Sequence, residues 1–104
     1  MKIYMAAAYT KGDTAQNVAR TTRLADYLAN LGHTPYLPHL THFWHMMYPR
    51  PYEWWLKYDL EWLTHCHCVV RLGGESSGAD KEVAEALARQ IPVYHLSGFK
   101  GMAL

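Results

Sequence analysis

Two rhythms of apolar and polar residues alternate along this chain. Lys2 to Ala8 is apolar at almost every position. Such a run, with no polar alternation, fits a strand covered on both faces of a sheet. After a turn at Tyr9-Thr-Lys-Gly12 the spacing lengthens. Val18, Leu24, Ala25, Leu28 and Leu31 fall on one stripe of a helix. Asp13 or Thr14 can cap its start, and Gly32 stands where a left-handed C′ residue belongs. Thr34 to Leu37 reads as a short second strand ended by Pro38. His39 to Arg50 reads as a long loop rich in His, Met and aromatic residues. Pro51 suits the first position of a second long helix reaching about Leu63, with Tyr52, Trp55, Leu56, Leu60 and Leu63 facing inward. His65 to Leu72 is a third strand, and Gly73-Gly74 a turn. A helix then runs from about Ser77, with Val83, Ala86, Leu87 and Gln90 inward. Ile91 to His95 is a fourth strand, and Ser97 to Leu104 a tail without a clear signal.

Strands alternating with helices imply parallel βαβ units with right-handed crossovers. The expected fold is a single α/β domain over residues 1–104. It is a small, doubly wound parallel sheet of four strands in the order 2-1-3-4, with helices on both faces. Ligands of such sheets bind outside the carboxyl ends of the strands, where the order reverses. That rule gathers Ala7 to Lys11, His39 and Ser76 to Glu82 around one crevice.

Composition narrows the function classes. At 104 residues the chain has room for one modest core. A formal charge of +1 gives no basic surface for a nucleic-acid polymer or a membrane. The two cysteines, Cys66 and Cys68, sit two residues apart in one strand-like run and are not expected to bridge each other. A reduced, cytoplasmic setting fits them. Four Trp and eight Tyr in so short a chain point to an aromatic-lined pocket or a subunit interface. The apolar character of His42 to Trp55 suggests a homodimer or a cover over the ligand. His39, His42 and His45 recur every third residue, and His65-Cys-His-Cys68 is dense in ligand types. The second group lies along a strand, so its members diverge, and no metal site is expected.

The chemistry concentrates around Glu75-Ser-Ser-Gly-Ala-Asp-Lys-Glu82. A glycine-bearing loop leading into a helix presents free backbone N–H groups and the positive end of the helix dipole to an anion. Ser76 and Ser77 add hydroxyls, and with Gly78 they form the candidate substrate-binding stretch. With Ser77 as N-cap, Asp80 completes a capping box and Glu82 is left without a capping role. Glu82 then either complements the dipole or acts chemically, ionised by the helix start. Asp59 interrupts an apolar stripe, where an acid needs a partner or a task. It either pairs with Arg20 or Arg23, caps a neighbouring backbone, or works beside Glu82. Two carboxylates flanking an anion-binding loop suit glycosidic chemistry. No cofactor motif accompanies them: Gly73-Gly74 is neither a dinucleotide fingerprint nor a Walker loop.

Ser76-x-Gly78-x-x-x-Glu82, preceded by Asp59-Leu-Glu-Trp-Leu63 and followed by Ile91-Pro-Val93, resembles the nucleoside 2-deoxyribosyltransferase superfamily. The likeness is strongest to its 2′-deoxynucleoside 5′-phosphate N-hydrolase branch. Ile3-Tyr-Met-Ala-Ala-Ala-Tyr9 and Tyr36-Leu-Pro-His39 are also similar, so the resemblance spans residues 2 to 95. It implies cleavage of the N-glycosidic bond of a (deoxy)nucleoside 5′-monophosphate; the rival readings are base exchange between nucleosides and a silent nucleotide-binding module, and no cofactor is expected. It implies Glu82 as nucleophile, Asp59 in proton transfer, Tyr4 assisting nucleophile or sugar, and Ser76 on the 5′-phosphate. Ala7, Ala8 and Tyr9 would line the pocket. The family's glycine is Ala7 here, and an aspartate common at the start of its third strand is His67. The family's arginine after the first strand is absent, which leaves phosphate contact there to Thr10 and Lys11. The usual fifth strand is missing or reduced to the tail.

Overall fold

The computed structural model describes residues 1–96. The tail lies outside the described residues, and with it the question of a fifth strand. Four parallel strands, β1 (Lys2–Ala6), β2 (Thr34–Tyr36), β3 (Cys68–Leu72) and β4 (Val93–Leu96), form one sheet in the order β2-β1-β3-β4. This is the expected order. β1 and β3 lie side by side with Ile3 opposite Cys68 and Ala6 opposite Arg71. The order therefore reverses between β1 and β3, the point at which sheets of this kind receive their ligands.

Both faces of the sheet are covered, which explains why β1 shows no alternation. Ile3, Met5 and Ala7 point to one side and meet Leu24 and Ala25 of helix α1 (Thr14–Asn30), with Cys68, Val70 and Leu72 beside them. Tyr4 and Ala6 point to the other side. They meet Leu63 of α3 (Tyr52–Leu63), Ala79 and Ala86 of α4 (Ser77–Ala88), and Val69. Asp13 caps α1 by accepting from Gln16 N at 3.0 Å, and Gly32 takes a positive φ of 95° just past the helix end.

Several local expectations are corrected. His39 to Arg50 is not a plain loop. It holds a 3-10 turn (Pro38–Thr41) and a short helix, α2 (His42–Met47). α2 is held by aromatic contacts, not by a core-facing stripe: Trp44 packs edge-on against Trp55 and Tyr58 of α3, and the Arg50 guanidinium lies 4.3 Å over the Trp54 ring. Pro51 is the N-cap of α3, not its first residue. The buried face of α4 is Ala79, Glu82 and Ala86. Leu87 is exposed, and Gln90 lies past the helix at φ 60°. In α1, Leu31 is exposed, and the inward stripe begins with the polar pair Asn17 and Thr21. β3 starts at Cys68, so Cys66 lies before it, and both cysteines are free thiols.

Candidate functional site

At the carboxyl ends of β1 and β3 the chain passes into two loops, each tied down by a buried polar residue. Asn17 of α1 donates from Nδ2 to the carbonyls of Tyr9 and Lys11, at 3.0 and 2.8 Å. This fixes the path after β1. Arg71, the penultimate residue of β3, turns back on its own loop. It donates to Leu72 O, to Gly74 O at 2.7 Å and to Asp80 Oδ1 at 3.3 Å. α4 then begins with Ser76 as N-cap, its Oγ accepting from Ala79 N at 3.1 Å. The expected cap was Ser77 with Asp80. Ser77 instead is the exposed first residue of the helix, and Asp80 pairs with Arg71. The Ser76 oxygen that accepts the cap bond keeps its own O–H to donate.

Glu82 sits on the inward face of α4, 7 % exposed, and accepts a hydrogen bond from the Tyr4 hydroxyl of β1. Asp59 of α3 is 9 % exposed. It pairs with neither Arg20 nor Arg23; its partner is the Tyr36 hydroxyl, which donates to Oδ1 at 3.3 Å. The Tyr36 ring stacks between those of Tyr4 and Trp62, at 5.6 Å from each. Two phenols, one from the middle of β1 and one from the end of the edge strand β2, thus hold two carboxyls on the same face of the sheet.

Their electrostatics follow from burial. Glu82 is pushed up to about 8, first by loss of hydration and then by the charge of Asp59; the bond from Tyr4 and the charge of Arg71 pull the other way. Asp59 is raised to about 7 by burial, with the Tyr36 bond opposing. The expectation that the helix start keeps Glu82 ionised is therefore corrected. Glu82 lies more than a turn into α4, where the dipole has faded, and desolvation dominates. Burial and the two neighbouring carboxylates hold the Tyr4 and Tyr36 phenols protonated, as donors.

The remaining predicted residues fall in two groups. Ala7 and Ala8 are buried at the end of β1, and Ala8 O accepts from His39 Nε2 at 2.9 Å. That bond places the ring proton on Nε2, and burial lowers the His39 pKa, so the imidazole is neutral. Tyr9 shares a hydrogen bond with His42 Nδ1, linking the loop after β1 to α2. Gly78 sits under Tyr52, whose hydroxyl would be 3.1 Å from a Cβ placed there. Lys11 stands apart: it is exposed, 4.0 Å from the equally exposed Glu75. Residues not singled out for the crevice in the sequence are Asn17, Tyr36, Tyr52 and Arg71. Asn17 could have been found from its i, i+4, i+7 spacing with Thr21 and Leu24. Arg71 could have been found as a charge inside a run that otherwise reads as a buried strand.

Among the described residues no three His, Cys, Asp or Glu side chains converge on a metal-binding geometry, and no helix is long and apolar enough to cross a membrane. Comparison with solved structures finds a 2-deoxyribosyltransferase from the psychrotolerant bacterium Bacillus psychrosaccharolyticus. It superposes with a TM-score of 0.67 at 22 % identity, covering 91 % of this chain and 71 % of that one. The likeness is one of fold. A search of curated proteins returned no match. A family model described as a domain of unknown function matches residues 1–96, nearly the whole chain, and the protein belongs to that family, DUF7768.

Proposed function

We propose that this protein cleaves the N-glycosidic bond of a deoxynucleoside 5′-monophosphate, with Glu82 as nucleophile. The observation that carries the reading is the buried Glu82–Tyr4 pair beside Asp59, at the switch point of a sheet that superposes on a deoxyribosyltransferase. In its ionised form Glu82 attacks C1′ of the sugar. The C1′–N bond breaks, and its electron pair leaves with the base. Asp59, raised to about 7 and protonated in part of the population at neutral pH, delivers the proton that the departing base needs. The glycosyl ester on Glu82 is then opened by water, with Asp59 as base, to give free sugar phosphate. Tyr4 holds the attacking oxygen in place. Ser76, Ser77 and Gly78 at the α4 start, with Ala7, Ala8, Tyr9, Lys11 and His39, form the substrate cradle. A nucleobase in place of water would make the same site a transferase.

The test is chromatographic. The protein is incubated with each of the four deoxynucleoside monophosphates and the four deoxynucleosides. Free base should appear from at least one monophosphate. Base appearing only when a second base is supplied would convert the reading to transfer, and no base from any of the eight would end it.

The exposed apolar side of α2 supports a homodimer. Phe43, Met46, Met47 and Tyr48 are 61–73 % exposed, more apolar surface than one short helix ordinarily leaves to water.

A further inference from the structure

Arg20 lies on the inward side of α1 and reaches the point where the strand order reverses. Its Nη2 donates to Gly73 O at 3.2 Å. The same nitrogen would be 3.2 Å from a Cβ placed on Gly74, and Ala8 Cβ would be 3.6 Å from it. The guanidinium therefore sits between the end of β1 and the loop after β3. Gly74, at φ 131°, leaves room for it.

Its charge is unanswered. The other cations at this end of the sheet have carboxylates: Lys11 faces Glu75, and Arg71 faces Asp80. Arg20 has no carboxylate partner among the described residues. One carbonyl satisfies one of its five N–H donors and neutralises nothing. Its Nε is buried without a hydrogen-bond partner, and the only other side-chain nitrogen so placed among the described residues is His39 Nδ1. His39 is bonded to Ala8, and the charge of Arg20 helps to keep its ring neutral. Both unsatisfied nitrogens thus belong to side chains that reach the end of β1 at Ala8. Arg20 is half-buried, and a partly desolvated cation without a counter-charge gains from an anion that joins it; a planar guanidinium matches the paired oxygens of a phosphate.

We propose that Arg20 is the residue that selects an anionic ligand, binding a phosphate monoester seated between the end of β1 and the Gly73–Gly74 turn. This deepens the functional reading above and rests on it only for what carries the phosphate. It moves that contact from the exposed Lys11 to Arg20, which reaches Gly73 and Gly74. A clamp on Gly73 alone would support every ligand of the crevice equally, whereas an anion contact acts on phosphorylated ligands only.

Calorimetry on the wild-type protein, Arg20→Gln and Arg20→Lys distinguishes these. The probes are inorganic phosphate, a deoxynucleoside monophosphate and the matching deoxynucleoside. Wild type should bind the monophosphate at least tenfold more tightly than the nucleoside, in keeping with charge-assisted hydrogen bonds. Arg20→Gln should erase that difference and leave the nucleoside unchanged, while Arg20→Lys should restore part of it. An equal loss for nucleoside and nucleotide would reduce Arg20 to a loop clamp and overturn the proposal. If the variants do not fold, the Arg20 Nε–H resonance of the wild-type protein is followed by nitrogen-resolved NMR. It should shift on phosphate addition at constant ionic strength, and a resonance that stays still at saturating phosphate overturns the proposal. Base release from the deoxynucleoside monophosphate with the same KM and rate in wild type and Arg20→Gln would sink the anion role and leave the glycosidic reading intact. A phosphate-dependent shift without release of base from any substrate would do the reverse.

Discussion

At the residue scale the controlling fact is that two acids are buried with phenols for partners instead of cations. Burial favours the protonated forms, so the folded protein holds protons that the unfolded chain releases. The sign follows from linkage. Between the ordinary carboxyl values near 4 and the folded values of about 7 for Asp59 and about 8 for Glu82, the native state binds more protons, and stability falls as pH rises. The contribution is fully present below about pH 4 and lost by about pH 8. Melting temperature should therefore decline from pH 5 to pH 8, with a shallower decline for Glu82→Gln, which has one group fewer to ionise. A parallel decline in both proteins would show that Glu82 titrates normally. Because attack requires ionised Glu82 and departure of the base requires protonated Asp59, base release should climb from pH 5 and turn over between about 7 and about 8. Asp59 was legible in the sequence as an acid inside an apolar helical stripe, and Glu82 as an acid beside a helix start with no capping role to fill. Their partners were not, because Tyr4 and Tyr36 lie on two different strands and meet the acids only when the sheet is assembled.

At the scale of elements, α4 carries the most consequence for its length. Its N-cap is a serine that has also been assigned to the ligand. Ser76→Ala removes the oxygen accepting from Ala79 N and should cost about 0.5–2 kcal/mol of stability by chemical denaturation. Ser77→Ala, at an exposed position, should be nearly neutral. The reverse ranking would return the cap to Ser77. The one-residue slip in the cap arose because two adjacent serines satisfy the same preference, and only the backbone decides between them: Ser76 is extended, at φ −162°. α2 was missed for a different reason. Periodicity detects helices that bury an apolar stripe in a core, and α2 instead shows Phe43, Met46 and Met47 to solvent and is anchored by ring contacts from Trp44. The strands and α1 were legible because both faces of β1 are buried and because Asp13 and Gly32 mark the helix ends.

At the scale of the molecule, the parallel order β2-β1-β3-β4 brings loops from distant parts of the chain to one crevice, and α2 flanks it through the Tyr9–His42 bond. An exposed apolar helix beside a crevice suits a symmetric interface, since the same patch can meet itself across a two-fold axis. Such an interface needs about 1,200–2,000 Å² of total buried area. Sedimentation at micromolar concentration should give a dimer, and Phe43→Glu with Met47→Glu should give a folded monomer. A wild-type monomer at that concentration would remove the dimer.

The proposed chemistry turns on a covalent bond between Glu82 and the sugar. The direct measurement is mass spectrometry of acid-quenched protein, taken during turnover of a slow deoxynucleoside monophosphate. A deoxyribosyl-phosphate adduct should appear on the peptide containing Glu82 and be absent from Glu82→Gln, whose base release should fall by several orders of magnitude. Near-normal base release by Glu82→Gln, or an adduct on another residue, would contradict it.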